Sequence, residues 1–135
     1  MTDRRDFLKG SLATAVVLGL TTARQIYAAG KSFPGIIYTS AEPGRWAGKE
    51  GAHAPQIEIK GNQVTITTNH PMTEEHHIVK HSLVLADGTV VGGKTFTLKD
   101  SLPVSSYELP ASYTGIFYAT SFCNLHDLWL SEGTR

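Results

Sequence analysis

The sequence predicts an all-β protein, an antiparallel sandwich of short strands. Three features carry this expectation: segments in which apolar and polar residues alternate, Gly-Asn and Asp-Gly turn pairs between them, and no long helical apolar period. Gln56-Ile57-Glu58-Ile59-Lys60 and residues 63–68 alternate on either side of Gly61-Asn62, which reads as a hairpin. Residues 78–86 form a longer β-rich run closed by Asp87-Gly88, and Thr89-Val90-Val91 starts the return strand. Lys94-Thr95-Phe96-Thr97-Leu98 alternates as a separate strand, and residues 105–109 do so weakly. Residues 115–122 are strongly β-branched and aromatic, and Leu128-Trp129-Leu130 reads as a short closing strand. Upstream, residues 31–51 are rich in Gly, Pro and Ser, with strand character only at Gly35-Ile36-Ile37-Tyr38. Residues 69–77 do not alternate and contain Pro71, so they form a loop or a single helical turn.

The first 29 residues do not read as folding material. Asp3-Arg4-Arg5-Asp6-Phe7-Leu8-Lys9 precedes an apolar, charge-free stretch to about Leu20, then small residues ending at Ala28-Ala29. A basic head, a short apolar run and a small-residue region make an export signal, and the arginine pair followed by Phe-Leu-Lys makes it look like a twin-arginine signal. The expected division is residues 1–29 as signal and 30–135 as one mature domain, delivered to the periplasm by the twin-arginine machinery. An uncleaved signal acting as a tether is the variant of that reading. Removing the signal takes the 12 basic and 12 acidic residues to 8 and 10, near −2. No basic excess is left for nucleic acid, so attraction for an anion must be local. The mature part holds one cysteine and all six histidines. No intramolecular disulfide can form, and a free thiol in an oxidising compartment is a liability unless it is committed elsewhere.

The candidate metal ligands fall in three places. His53 sits in a loop before the first clear strand, His70 and His76 bracket the 69–77 loop, and Cys123 and His126 lie on Phe122-Cys123-Asn124-Leu125-His126. Taken one at a time, each has a plain explanation: a loop histidine, turn chemistry before Pro71, a small buried thiol. Together they restrict the metal. Structural zinc wants four ligands and usually more sulfur. Blue copper wants a methionine after the cysteine, and the mature chain's Met72 lies far before it. Five candidate ligands with an open sixth position favour iron. His77 competes with His76, because adjacent strand residues point to opposite faces. Spacing from His70-Pro71 favours His76; counting back from Asp87-Gly88 favours His77 unless the following strand is bulged. We assign His76. His77 and His81 are read as structural or solvent-facing, Glu74 and Glu75 as a solvated loop face, and Phe122 and Trp129 as core aromatics.

His70-Pro71-Met72-Thr73-Glu74-Glu75-His76, with Cys123-Asn124-Leu125-His126 and Trp129 downstream and His53-Ala54-Pro55 upstream, resembles the iron domain of desulfoferrodoxins and neelaredoxins, the superoxide reductases. The resemblance spans essentially the whole mature chain. It implies an immunoglobulin-like sandwich and one Fe(2+)/Fe(3+) per chain, with His53, His70, His76 and His126 in the plane and Cys123 axial. It further implies reduction of superoxide to hydrogen peroxide, with electrons from an external donor protein. A non-catalytic iron- or copper-binding electron-transfer module on the same fold is the competing expectation, and a homo-oligomer is compatible with either. Two departures stand out. Family members often carry Glu-Lys directly before the first histidine, whereas here Lys49-Glu50 is followed by Gly51-Ala52, two positions too early. These two are the candidate catalytic residues. Asp127 stands where glycine often follows the last histidine, which places a carboxylate beside His126 as a partner for its ring.

Overall fold

The computed structural model describes residues 33–135, so the expected signal, residues 1–29, lies outside the described residues. Eight strands follow in order: β1 (Ile37–Tyr38), β2 (Gln56–Lys60), β3 (Gln63–Thr67), β4 (Ile78–Leu85), β5 (Val90–Thr95), β6 (Val104–Glu108), β7 (Ile116–Cys123) and β8 (Asp127–Thr134). They make two sheets, β1-β8-β7-β4-β5 and β2-β3-β6. The pairings are antiparallel except at one edge, where β1 runs parallel to β8. The architecture is the expected β-sandwich.

Alternation sets which side chains meet between the layers. Val64 and Ile66 of β3, Leu83 and Leu85 of β4, Phe117 and Ala119 of β7, and Leu109 form the main core. A smaller cluster at the end nearest the histidines joins Tyr38, Ala54 and Trp129, with Trp46 against it. A third joins Ile78, Phe96 and Cys123, with Met72 against it.

Four local readings need correction. The return strand started at Thr89-Val90-Val91 runs on through Gly92-Gly93 and takes in Lys94-Thr95, so Lys94–Leu98 is not a strand of its own. Gly92 pairs with Leu83 beneath the Tyr107 ring, where a Cβ would come within 2.8 Å, so the glycine admits an aromatic face rather than a turn. β8 runs for eight residues, because its polar second half pairs with β7 as far as Ile116–Thr134. The Gly-rich upstream region holds a 3-10 turn at Gly44–Trp46 and one helical turn, α1 (Glu50–His53), so His53 ends a helix rather than lying in an open loop. Phe122 is 41% exposed and is no core aromatic, whereas Trp129 is fully buried.

His81 on β4 is also fully buried. Its Nδ1 lies 2.8 Å from Ser105 Oγ and its Nε2 lies 2.7 Å from Thr68 Oγ1. Burial, with a smaller push from the Lys94 charge, lowers its pKa from 6.5 to about 4. The folded state therefore holds His81 neutral while the unfolded chain takes up a proton below pH 6.5. This contribution to stability is complete above pH 6.5 and is lost as pH falls toward 4, by about 3 kcal/mol. Unfolding free energies of the wild type and of His81→Leu, from denaturant titrations between pH 7 and pH 4, are expected to change relative to each other by that amount, the wild type losing more. Parallel pH profiles would contradict a neutral, buried His81.

Candidate metal centre

Three segments deliver the donor atoms to one end of the sandwich. α1 presents His53 because a single helical turn brings its ring back over Lys49, whose carbonyl accepts the Nδ1–H bond at 2.9 Å. His70 follows β3, and its Nδ1–H is directed at the Pro71 carbonyl 2.6 Å away. A backbone carbonyl can only accept, so both rings carry their proton on Nδ1 and turn a bare Nε2 lone pair inward. His76 ends the loop that leads into β4. Cys123 ends β7 and His126 follows in the turn before β8.

A bulge accompanies the placement of His76 and His77. The β4–β7 register shifts between Ile78 and Lys80, leaving Val79 without a β7 partner while its carbonyl accepts from Phe96 N–H on the β5 side. The extra residue reverses the parity counted back from Asp87-Gly88. His76 Nε2 then faces the cluster, while His77 Nδ1 donates to the Thr73 carbonyl at 2.9 Å.

The four imidazoles form a closed ring. Neighbours are nearly perpendicular, with centroids 4.6 Å apart for His53–His70, 4.2 Å for His70–His76, 4.7 Å for His76–His126 and 4.8 Å for His126–His53. The diagonal pair His53–His76 is 5.7 Å apart and inclined by only 27°. Inward nitrogens lie 3.1 Å apart for His53 Nε2–His126 Nδ1, 2.9 Å for His126 Nδ1–His76 Nε2 and 2.9 Å for His76 Nε2–His70 Nε2. Cys123 Sγ stands 3.9 Å from His70 Nε2 and 3.7 Å from His126 Nδ1, the two ends of the other diagonal. The ligand atoms of His53, His70, His76 and Cys123 all lie within 4.8 Å of one another.

Protons alone do not satisfy this ring. His53 and His70 bring lone pairs, so hydrogen bonds to them need a proton on His126 Nδ1 and another on His76 Nε2. Those two protons would then oppose each other across 2.9 Å. A cation at the middle resolves all three contacts at once. Metal–nitrogen bonds of about 2.1 Å at right angles separate neighbouring nitrogens by about 3.0 Å, which matches the observed edges.

Burial is the first cause of a lowered pKa at all four imidazoles and takes His70 down to about 4, so the rings are neutral donors at pH 7. Burial pushes the Cys123 thiol up, and backbone N–H groups of Leu125 and His126 pull it partly back. The positive charge of Lys49 is a lesser lowering influence on the pKa of His53, His76, His126 and Cys123, and its backbone carbonyl is bonded to the His53 ring at 2.9 Å. Glu50 does not join them. Both its carboxylate oxygens accept from Gly48 N–H at 3.0 Å, at the start of its own turn.

Asp127 does not serve the His126 ring. Its carboxylate accepts from Arg45 Nη2 at 2.7 Å and Trp46 Nε1 at 3.0 Å, and Trp46 packs edge-on to His126 at 4.7 Å. Its φ of 65° explains a glycine at this place, since aspartate is among the few other residues that enter the left-handed region readily. Asn124 was legible only as a motif letter, yet it brackets His76. Its Nδ2 donates to Glu75 O at 3.0 Å, its Oδ1 accepts from His77 N–H at 3.0 Å, and its own N–H reaches His77 O at 3.1 Å. Trp129 Nε1 donates to the His126 carbonyl at 2.8 Å and so ties the last donor to the core.

Comparison with known proteins agrees with this arrangement. The desulfoferrodoxin family profile matches residues 45–132, and the twin-arginine translocation signal profile matches residues 1–21. The superoxide reductase of Pyrococcus abyssi is 31% identical over 111 residues, covering 72% of this chain and 96% of its own. The neelaredoxin structure from Ignicoccus hospitalis superposes with a TM-score of 0.63 at 28% identity, over 77% of this chain and 97% of that one. The superoxide reductase structure from Treponema pallidum superposes with a TM-score of 0.51 at 31% identity, over 63% of this chain and 69% of that one. With the profile spanning all but one edge of the sandwich and every donor of the cluster inside it, this chain belongs to the desulfoferrodoxin family.

Proposed function

We propose that this chain is a superoxide reductase. Superoxide, one electron from an external donor protein and two protons become hydrogen peroxide at a single iron held by His53, His70, His76, His126 and Cys123. The observation that carries the reading is the ring of four imidazoles with a thiol on one side, which no arrangement of protons satisfies, in a member of this family. Iron bound there supplies the electron and a vacant coordination position.

The chain's own groups set the conditions around it. The carbonyls of Lys49 and Pro71 fix the proton on the outer nitrogen of His53 and His70, which keeps their inner nitrogens available as ligands. Asn124 holds both peptide neighbours of His76 and so sets the direction of that ring. Cys123 is buried and the His76 and His126 rings are only half-buried, so the side of the ring away from the sulfur is the one a small anion reaches. Lys49 adds positive charge at that end of a domain near net −2, focusing the anion locally. Glu50 accepts from Gly48 N–H and so ties the first residue of α1 back to the chain just before Lys49. The reading includes residues 1–29 as a twin-arginine signal, residues 30–135 as the mature domain, and the periplasm as its destination.

Iron-loaded protein is expected to show a sulfur-to-ferric band in the red that bleaches on reduction, and one Fe(II) oxidised per superoxide consumed in pulse radiolysis. Superoxide decay without that oxidation, or an intense blue copper–thiolate band in protein from its native compartment, would remove the assignment. Asn124→Ala is expected to weaken Fe(II) binding by about 10-fold to 100-fold, read by chelator competition. Unchanged binding would free Asn124 of this role. Lys49→Ala is expected to slow the reaction with superoxide by roughly 3-fold to 10-fold at low ionic strength and to flatten its salt dependence. An unchanged rate would mean that Lys49 does not steer the anion.

A further inference from the structure

A second cluster of polar side chains lies in the interior, away from the donor ring. Thr68, His81 and Ser121 are fully buried and Ser105 is nearly so. Thr68 Oγ1 stands 2.7 Å from His81 Nε2 and 2.8 Å from Ser121 Oγ, and Ser105 Oγ stands 2.8 Å from His81 Nδ1. The ring of Phe96 packs edge-on against His81 at 4.7 Å. Ser105 belongs to β6 of the three-stranded sheet and Thr68 directly follows β3 of that sheet, whereas His81 and Ser121 belong to β4 and β7 of the other. The cluster therefore ties the two layers together through hydrogen bonds. Buried polar groups are costly unless they are satisfied, and here each side chain has a partner.

Two of its members sit two residues before a donor. Thr68 precedes His70, whose backbone N–H donates to the Thr68 carbonyl at 2.9 Å, and the Thr68 N–H donates to the Pro103 carbonyl at 3.0 Å. Ser121 precedes Cys123 on β7, and strand alternation turns both inward. The Thr68–Ser121 hydroxyl pair thus spans the segments whose next inward side chains are His70 and Cys123, with Nε2 and Sγ 3.9 Å apart. His81 is the only member that reaches both the Thr68–Ser121 pair and the opposite sheet at Ser105.

We infer that His81 is a positioning residue for the metal centre: by bonding Thr68 and Ser105 across the sandwich it sets the separation of the strand ends that carry His70 and Cys123. It touches neither donor, and its effect is transmitted through Thr68 and Ser121. The inference rests on the iron site proposed above and concerns how that site is held.

The test uses His81→Leu, which keeps most of the volume and removes both hydrogen bonds, and His81→Gln, which offers one donor and one acceptor. Iron-loaded proteins are compared for Fe(II) affinity by chelator competition, for the energy of the sulfur-to-ferric band and for thermal unfolding. His81→Leu is expected to bind Fe(II) about tenfold more weakly and to shift the band, and His81→Gln is expected to restore both toward the wild type. Should His81→Leu fail to fold, Ser121→Ala, which removes one hydroxyl, is expected to shift the band in the same direction. A variant that unfolds at a lower temperature with wild-type affinity and an unmoved band would make His81 a structural residue only and overturn the inference. A wild-type protein that shows no sulfur-to-ferric band with iron would instead overturn the iron site itself.

Discussion

Crowding of like donors governs this molecule. Four imidazole nitrogens lie around one point, with three successive edges of 2.9–3.1 Å that protons alone cannot satisfy, and a thiol stands on one side. Two of the nitrogens are lone pairs by necessity, since their rings give their only proton to backbone carbonyls. Such an assembly is unfavourable without a positive charge at its middle. The fold must therefore hold the donors against their mutual repulsion before any metal arrives. That requirement explains why so much of the surrounding hydrogen bonding goes to backbone groups next to the histidines rather than to the rings themselves.

Each donor is held in a different way. His53 hangs from a single helical turn, its ring bonded to Lys49 O, while Glu50 ties the start of that turn back to Gly48 N–H. His76 sits in a loop clamped on both sides by Asn124. His126 is tied through its carbonyl to Trp129, packed by Trp46, and followed by an aspartate in the left-handed region that latches Arg45 and Trp46. Exposed ion pairs contribute little, typically under about 1 kcal/mol. The Arg45–Asp127 pair matters less for its energy than for where it puts the indole. His70 and Cys123 project from strand ends and draw their rigidity from the sandwich itself.

The position of Lys49 shows how spacing and placement can diverge. In sequence it stands two residues earlier than the family pattern, with Gly51 and Ala52 intervening. In the structure those residues are wound into α1. A helical turn advances only about 1.5 Å per residue, where extended chain would advance about 3.3 Å. The two extra residues therefore lengthen the path from Lys49 to His53 by less than their number suggests, and the Lys49 carbonyl is bonded to the His53 ring.

The chain order alone determined the sandwich, the hairpin around Gly61-Asn62 and the candidate donors His53, His70, Cys123 and His126, with His76 and His77 competing for one further place. Alternation and turn residues are local, and the Cys-Asn-Leu-His and His-Pro-Met segments carry their spacing within a few residues. What lay beyond it depends on contacts between distant segments. Gly92-Gly93 continues a strand because Tyr107 covers it, and the polar half of β8 is a strand because β7 runs beside it. His76 rather than His77 faces the donors where Val79 bulges out of a ladder formed with residues more than 40 positions away. Asp127 serves Arg45 and Trp46 rather than the adjacent histidine ring because its backbone turns left-handed toward a loop 80 residues upstream. Residue type and short spacing choose the chemistry that is available; only the folded chain chooses partners, because a side chain's direction is set by neighbours that the linear order keeps far apart.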